Sequence, residues 1–316
     1  MNKEYPEIVL VSNLHDYSTD YIAKILYDHE EKFVRINRDT LFSYDVIFDI
    51  GCECIILKNN SSEIILSPEH TKSFYYRAPT FLREGKKYKS NSEHLFHTQW
   101  AAFFRSLSFF DTSKWTNNVV ATYKAEMKPI QLKQAKKCGF TVPRTIITNT
   151  SGKNFFSKDE LLALKTIDTA VLSEGNKTGF IYTNFLSQQE LEKYETASTP
   201  FFLQQKIYPK LDIRITVIGD KAYAFKILHK GRGIDGDWRK IKQELEYEYI
   251  DIPTEISNKC ILLTKQLGLN FSGIDIIKSE DNYFFIELNP TGEWSWLMKN
   301  TGVRLDYEIA KFISTI

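Results

Sequence analysis

Phe284-Phe285-Ile286-Glu287-Leu288-Asn289-Pro290 sets a carboxylate and a carboxamide two residues apart inside an apolar run. Successive side chains of a β-strand point to opposite faces, so Glu287 and Asn289 share one face and Leu288 turns the other way, into a core. The preceding run, Phe271-Ser272-Gly273-Ile274-Asp275, reads as a second strand that also carries a carboxylate. The polar turn Ser279-Glu280-Asp281-Asn282 predicts a hairpin that brings Asp275 beside the other two. Three oxygen ligands on one face suit Mg²⁺, which usually shares its shell with water and substrate phosphates. A carboxylate beside an Asn-Pro turn is also common at strand ends. The second charged residue inside an apolar run is what tips the reading toward a site.

The rest of the composition narrows the class. A chain of 316 residues holds two or three compact units. Hydrophobic content of 42% and aromatic content of 14% supply a core and argue against disorder. A formal net charge of +1 gives no support for nucleic-acid or membrane binding. Only Cys52 and Cys54 of the four cysteines are close, without a second ligand pair, so free thiols are expected rather than a zinc site. The N-terminus lacks a basic stretch followed by an apolar one, and no apolar run approaches about 18 residues; a cytoplasmic protein is expected.

Along the chain, a strand over 7–12, a helix over 19–27 and a strand over 32–37 make a βαβ pattern with a parallel sheet. No Gly-x-Gly-x-x-Gly follows the first strand, so the dinucleotide fingerprint is absent. Residues 52–57 and 63–66 read as a hairpin, 73–77 as a strand and 93–108 as an aromatic-rich helix carrying Arg105. Beyond residue 115 the pattern predicts a helix over 126–138, a strand over 141–148, a short helix over 158–164 and a strand over 165–173. Strands over 201–207, 213–217, 222–227 and 247–250 follow, then a helix over 255–267 before the hairpin. The fold class is α/β (α+β overall). An N-terminal α/β domain spans 1–115, a small central domain 116–200 and a C-terminal antiparallel-sheet domain 201–316.

Several charged positions accompany the hairpin. Lys128 lies at a helix start, where its charge adds to backbone N–H groups that favour anions, and Lys165 on a strand could reach a phosphate; taken singly, each reads first as a solvated surface lysine. Gln204-Gln205-Lys206-Ile207 ends an apolar strand and could serve as a hinge that binds adenine through its backbone. Asp212, Arg214 and Thr216 share a polar strand face opposite Ile213, Ile215 and Val217. As a surface pair, Asp212 and Arg214 would contribute well under about 1 kcal/mol. The loop 230–239, with three glycines, suits a mobile cover over a charged ligand, and Arg239 could grip a phosphate bidentately.

Taken in order, Lys128, Lys165, the 204–207 hinge, Asp212-Ile213-Arg214, Asp237-Trp238-Arg239, Asp275, Glu287 and Asn289 resemble the ATP-grasp superfamily. Within it the chain is most similar to the ligases that make microviridin-type cyclic peptides, the graspetides. Three stretches carry that likeness: 138–149 (CGFTVPRTIITN), Tyr75-Tyr76-Arg77-Ala78-Pro79, and Glu287-Leu288-Asn289-Pro290-Thr291-Gly292-Glu293-Trp294-Ser295-Trp296. The chain departs from the superfamily in carrying Gln204-Gln205 where many members carry a glutamate. Between Leu172 and Thr183 it has only Glu174-Gly175-Asn176-Lys177-Thr178-Gly179 in place of an obvious Gly-rich phosphate loop.

The resemblance implies an ATP-grasp fold with a pre-ATP-grasp N-terminal domain, and ATP and Mg²⁺ as cofactors. It implies phosphorylation of a side-chain carboxylate of a ribosomal precursor peptide, release of ADP, and closure to an ω-ester or ω-amide ring. Asp275, Glu287 and Asn289 would hold the metal. Lys128, Lys165, Gln204, Gln205, Lys206, Ile207 and Asp212 would bind ATP. Arg214 and Arg239 would be catalytic, and Arg77 and Arg105 would contact the peptide. A homodimer is implied as well. A ligase that adds amino acids to a protein or small-molecule carboxylate, and a nucleotide-binding regulator without turnover, stay open as alternatives.

Overall fold

The computed structural model describes residues 2–77, 89–151, 155–168, 171–174, 177–193 and 199–316. Ala78 and Pro79 of the Tyr-Arg motif, and Gly175 and Asn176 of the short glycine segment, lie outside the described residues.

The opening βαβ unit forms as the pattern predicts. Strand Ile8–Ser12 pairs in parallel with Phe33–Asn37 on one side and Ser73–Tyr76 on the other, and Lys114–Trp115 extends the sheet. All five residues of Ile8–Ser12 are buried because both faces of this sheet are covered. Aromatic residues Phe74, Phe104, Phe110 and Trp115 pack on one face. Helix Tyr17–Asp28 supplies Ile22, Ile25 and Leu26 to the other. The hairpin Cys54–Lys58/Ser62–Leu66 sits in a second sheet with Asn2–Glu4 and Asp45–Asp49, two strands that the sequence pattern missed. All four cysteines are free thiols. Among the described residues no helix is long and apolar enough to cross a membrane.

The helix read over 126–138 forms as Lys128–Lys137, with Pro129 in its first turn, and a separate helix that was not expected, Val119–Ala125, precedes it. A continuous helix would drive the Pro129 ring against the Ala125 carbonyl, so the chain breaks before Lys128. The short helix read over 158–164 is instead the strand Leu161–Lys165. Its Leu-Leu-Ala-Leu-Lys sequence favours helix locally. It is nevertheless paired on both edges, by Asn184–Ser187 and Phe201–Gln205, and that pairing overrides the local preference. The strand read over 165–173 does not run through: Val171–Glu174 pairs with Lys177–Phe180 in a separate hairpin.

The central antiparallel sheet has the order Asn184–Ser187, Leu161–Lys165, Phe201–Gln205, Thr145–Thr148. The C-terminal sheet has five antiparallel strands: Leu245–Ile250, Lys221–His229, Leu211–Ile218, Phe271–Ser279 and Asn282–Asn289. Helix Thr254–Gln266 packs Ile256, Cys260 and Leu263 against the inner residues Ile213, Ile215, Val217 and Leu288. A last helix, Leu305–Ile313, was not expected; it joins Ile8, Leu10 and Ile22 from the start of the chain to Phe225 and Trp294 in one apolar cluster. The two ends of the chain therefore share a core.

Candidate active site

The expected hairpin pairs Phe271–Ser279 with Asn282–Asn289, and Asp275 lies directly across from Glu287. A bulge between Asp275 and Ile276 inserts Ile286 as an extra residue. A bulge re-aims side chains by breaking the two-residue alternation. Here it lets the consecutive residues Ile286 and Glu287 both line the same cleft. Asn289 completes the group, its Nδ2 3.4 Å from Asp275 Oδ2 and 3.5 Å from Glu287 Oε1. A flip of that carboxamide presents Oδ1 to the same point.

Arg214 stands opposite Asp275 on the neighbouring strand, with Nη1 3.2 Å from Asp275 Oδ1. Its guanidinium carbon lies 5.8 Å from the Trp296 ring centre, and its buried Nε has no acceptor among the described residues. An anionic group placed there would supply one. Asp212 on the same face meets a lysine: Lys210 Nζ donates to both Asp212 oxygens, at 2.9 and 3.1 Å, and to Gly236 O at 2.7 Å. Lys210 was missed by sequence reading; its two-residue spacing from Asp212 was the available signal. Burial raises the Asp212 pKa against the pull of Lys210.

The central sheet supplies the opposing wall. Lys165 Nζ donates to Gln204 Oε1 at 3.0 Å, and Gln204 Nε2 donates to Thr145 Oγ1 at 3.1 Å. Lys128, at the first position of its helix, donates Nζ to Thr166 O at 3.1 Å. Lys206 pairs with Asp235 at 2.8 Å and lies over the Phe185 ring. Gln205, Lys206 and Ile207 line the cleft. The loop 230–239 is tied down at several points rather than loose over the cleft. A Cβ on Gly233 would sit 2.5 Å from Lys210 O, so only glycine permits that approach. Asp237 Oδ2 accepts from Thr183 N at 2.9 Å, and Asp237 holds Arg239 through two hydrogen bonds of 2.8 Å.

Electrostatics follow from this crowding. Burial pushes the Asp275 carboxyl up; Arg214 pulls it back and the Glu287 charge adds to the rise. Burial also opposes the Glu287 charge, but Lys128, Lys165, Arg239 and Arg214 prevail and hold it below the usual carboxylate range. Burial lowers Lys165 to about 8, with Glu287 opposing and Lys128 adding to the fall. Burial also opposes the charge of Asp237, but the hydrogen bond and charge of Arg239, with the backbone N–H groups of Thr183 and Arg239, together lower it to about 2. Four cations thus converge on two carboxylates, an arrangement that attracts further negative charge.

Two cavities meet here, of about 240 and 300 Å³, and Lys165, Arg239, Glu287 and Asn289 line both. The first has an apolar end at Ala163, Ile277 and Ile286. The second is more polar, with Lys128, Tyr182 and Thr291.

Arg77 and Arg105 line neither cavity. Arg77 Nε donates to Asp16 at 2.8 Å, Nη1 to Thr291 O and Gly292 O, and Nη2 to Glu293. Arg77, expected to contact a peptide, has internal acceptors for its guanidinium here. Arg105 lies on helix Asn91–Ser106, where its charge acts on the buried Tyr76 hydroxyl. His229, 3.0 Å from Glu244, is also away from the cleft.

With this geometry in place, likeness to known proteins becomes informative. Residues 178–313 match the RimK-like ATP-grasp domain. The RiPP-associated ATP-grasp ligase of Chryseobacterium gregarium, solved with ADP and a leader and core peptide, superposes with a TM-score of 0.83 at 24% identity, over 99% of this chain and 96% of that one. The macrocyclase MdnC of Microcystis aeruginosa, bound to precursor peptide MdnA, gives 0.79 at 21% identity, over 97% and 98%. The fold is ATP-grasp. Tetrahydromethanopterin:alpha-L-glutamate ligase of Methanocaldococcus jannaschii is 31% identical over 119 residues, which are 36% of this chain and 38% of the relative. The chain spans less than two thirds of the length of the curated relatives it matches first.

Proposed function

We propose that this protein is an ATP-dependent ligase. It activates a side-chain carboxylate of an acidic, ribosomally made precursor peptide and closes it onto a hydroxyl or amine of the same peptide, releasing ADP and phosphate. The observation that carries this reading is the wall of Lys165, Arg239, Glu287 and Asn289 shared by two cavities, one with an apolar end and one polar. A nucleotide base fits the first, with its phosphates reaching the shared wall, and a peptide carboxylate approaches through the second.

The base would lie against Ala163, Ile277 and Ile286. Gln205 N and Lys206 N already donate to Arg144 O and Leu161 O, which leaves Ile207 to offer its N–H to the base edge. Lys128 and Lys165 would neutralise the inner phosphates, and Arg214 and Arg239 would meet the transferred phosphoryl group and the incoming carboxylate. Asp275, Glu287 and Asn289 fit Mg²⁺ as a donor set of hard oxygens. Among the described residues no three His, Cys, Asp or Glu stand together as a cage, so phosphate oxygens would complete the shell. When bound, the ion would offset charge on the phosphates.

The peptide carboxylate attacks the terminal phosphorus, the bond to the bridging oxygen breaks, and ADP departs. The hydroxyl or amine then attacks the acyl carbon and phosphate leaves. Positioning and charge stabilisation supply most of the acceleration in such a site. A homodimer in the cytoplasm belongs to the same reading.

A ligase that adds amino acids to a carboxylate is the second reading, favoured by the glutamate ligases among the sequence relatives. Likeness over nearly the whole chain to peptide-bound enzymes supports the first. Intact mass of a precursor peptide encoded beside this protein, after incubation with enzyme, ATP and Mg²⁺, separates them. Loss of one water per ring with ADP release is expected. With free glutamate also present, a mass gain would favour amino-acid addition, and an unchanged mass would overturn the ring-closing reading.

A further inference from the structure

Asn282–Asn289 is an edge strand among the described residues; its outer side is met by an isolated backbone bridge, where Phe285 N donates to Thr141 O at 2.9 Å, and, nearer the site, by side chains. Gln131 provides the central contact. Its Oε1 accepts from Leu288 N at 3.0 Å, and its Nε2 donates to Leu288 O and Ala125 O, both at 2.7 Å. Gln131 is 3% exposed. Leu288 N belongs to the peptide unit shared with Glu287, and Leu288 O to the unit shared with Asn289. One carboxamide thus fixes both peptide planes between the two proposed ligands. Asn117 continues the pattern: Nδ2 donates to Pro290 O at 2.6 Å and to Phe271 O at 2.9 Å. At Gly292 a Cβ would lie 3.2 Å from Asn289 Cβ, so the segment beyond the ligands packs directly on one of them.

The helix bearing Gln131 begins at Lys128, one turn earlier. Residues three apart share a helix face. A single turn therefore presents a cation to the site and grips the backbone of the strand that carries Glu287 and Asn289.

We infer that Gln131 is a positioning residue: it holds Glu287 and Asn289 at the spacing needed to bind the cation that accompanies the nucleotide. This rests on the proposed assignment of Asp275, Glu287 and Asn289 as cation ligands. Groups that orient metal ligands typically change affinity by about 10- to 100-fold when removed.

The test uses the full chain with a non-hydrolysable ATP analogue and Mn²⁺ in place of Mg²⁺, with bound Mn²⁺ read by electron paramagnetic resonance. Gln131→Met keeps the volume and removes all three hydrogen bonds. Gln131→Glu keeps the acceptor for Leu288 N and loses both donations. Both variants are expected to bind Mn²⁺ about 10-fold or more weakly in the ternary complex, while analogue affinity without metal stays at the wild-type value. If Gln131→Met fails to melt cooperatively, Gln131→Glu decides alone. Unchanged Mn²⁺ affinity would overturn the inference, and so would an equal fall in metal and nucleotide affinity, which marks a purely structural role. Absence of nucleotide-dependent Mn²⁺ binding by the wild type would instead overturn the ligand assignment itself.

Discussion

Two buried polar clusters flank the end of strand Asn282–Asn289, and they differ in how completely the protein answers their charges. In one, Arg77 reaches Asp16, Glu293 and the carbonyls of Thr291 and Gly292. Glu293 in turn accepts from Ser18 Oγ, Trp294 N and Ser295 N. Burial opposes the Glu293 charge, yet the Arg77 guanidinium keeps its pKa below the ordinary value. In the other, Asp275 is pushed up by burial, Lys165 is pushed down, and Arg214 Nε has no acceptor among the described residues. Polar groups this deep cost free energy unless they are paired. A cluster that closes on itself therefore reads as architecture, and one left open reads as a site for a charged ligand.

The largest effect that would break this contrast is on turnover. Glu287→Ala is expected to cost about 10³-fold in product formation, with cooperative melting retained; a variant holding a tenth of wild-type turnover would remove Glu287 from the site. Arg77→Met removes the guanidinium that faces the buried Asp16 carboxylate and should cost about 3 kcal/mol in denaturant unfolding. A loss under about 1 kcal/mol would mean that the pair is screened like a surface one. Arg239→Lys sharpens the comparison from the open side, since an ammonium cannot keep both hydrogen bonds to Asp237 and also present a fork. About 10²-fold in kcat is expected, and near-normal turnover would count against a catalytic role.

The smallest effect is a pH dependence. Lys165 is cationic below its pKa of about 8 and loses its charge as pH rises through that value. Its cationic fraction then falls about tenfold per unit. Affinity for an ATP analogue should decline above pH 8 in the wild type, and Lys165→Arg should flatten the decline. An identical slope in both proteins would assign it to another group.

The hairpin was the most legible part of the site. Its register places Asp275 across from Glu287, as the alternation of apolar and polar residues requires. The parallel βαβ start was legible for the same reason. The bulge that turns Ile286 into the cleft was not, because one extra residue leaves no trace in an alternating pattern. Leu161–Lys165 was misread since its residues favour helix in isolation, while both of its strand partners lie distant in the chain. Gln131 and Asn117 went unassigned: each grips backbone more than 150 residues away, and a backbone acceptor has no sequence signature.

Local order along the chain thus determined which residues could share a strand face, and with that the identity of the Asp275, Glu287 and Asn289 group and its accompanying cations. Arg77 shows what local order could not decide. Its guanidinium suits a ligand carboxylate as well as an internal one, and only the docking of residues 291–293 against Asp16 selects between them. Alternation is a property of neighbours. Pairing a buried charge depends on which distant segment arrives beside it, and that is set by packing of the whole chain.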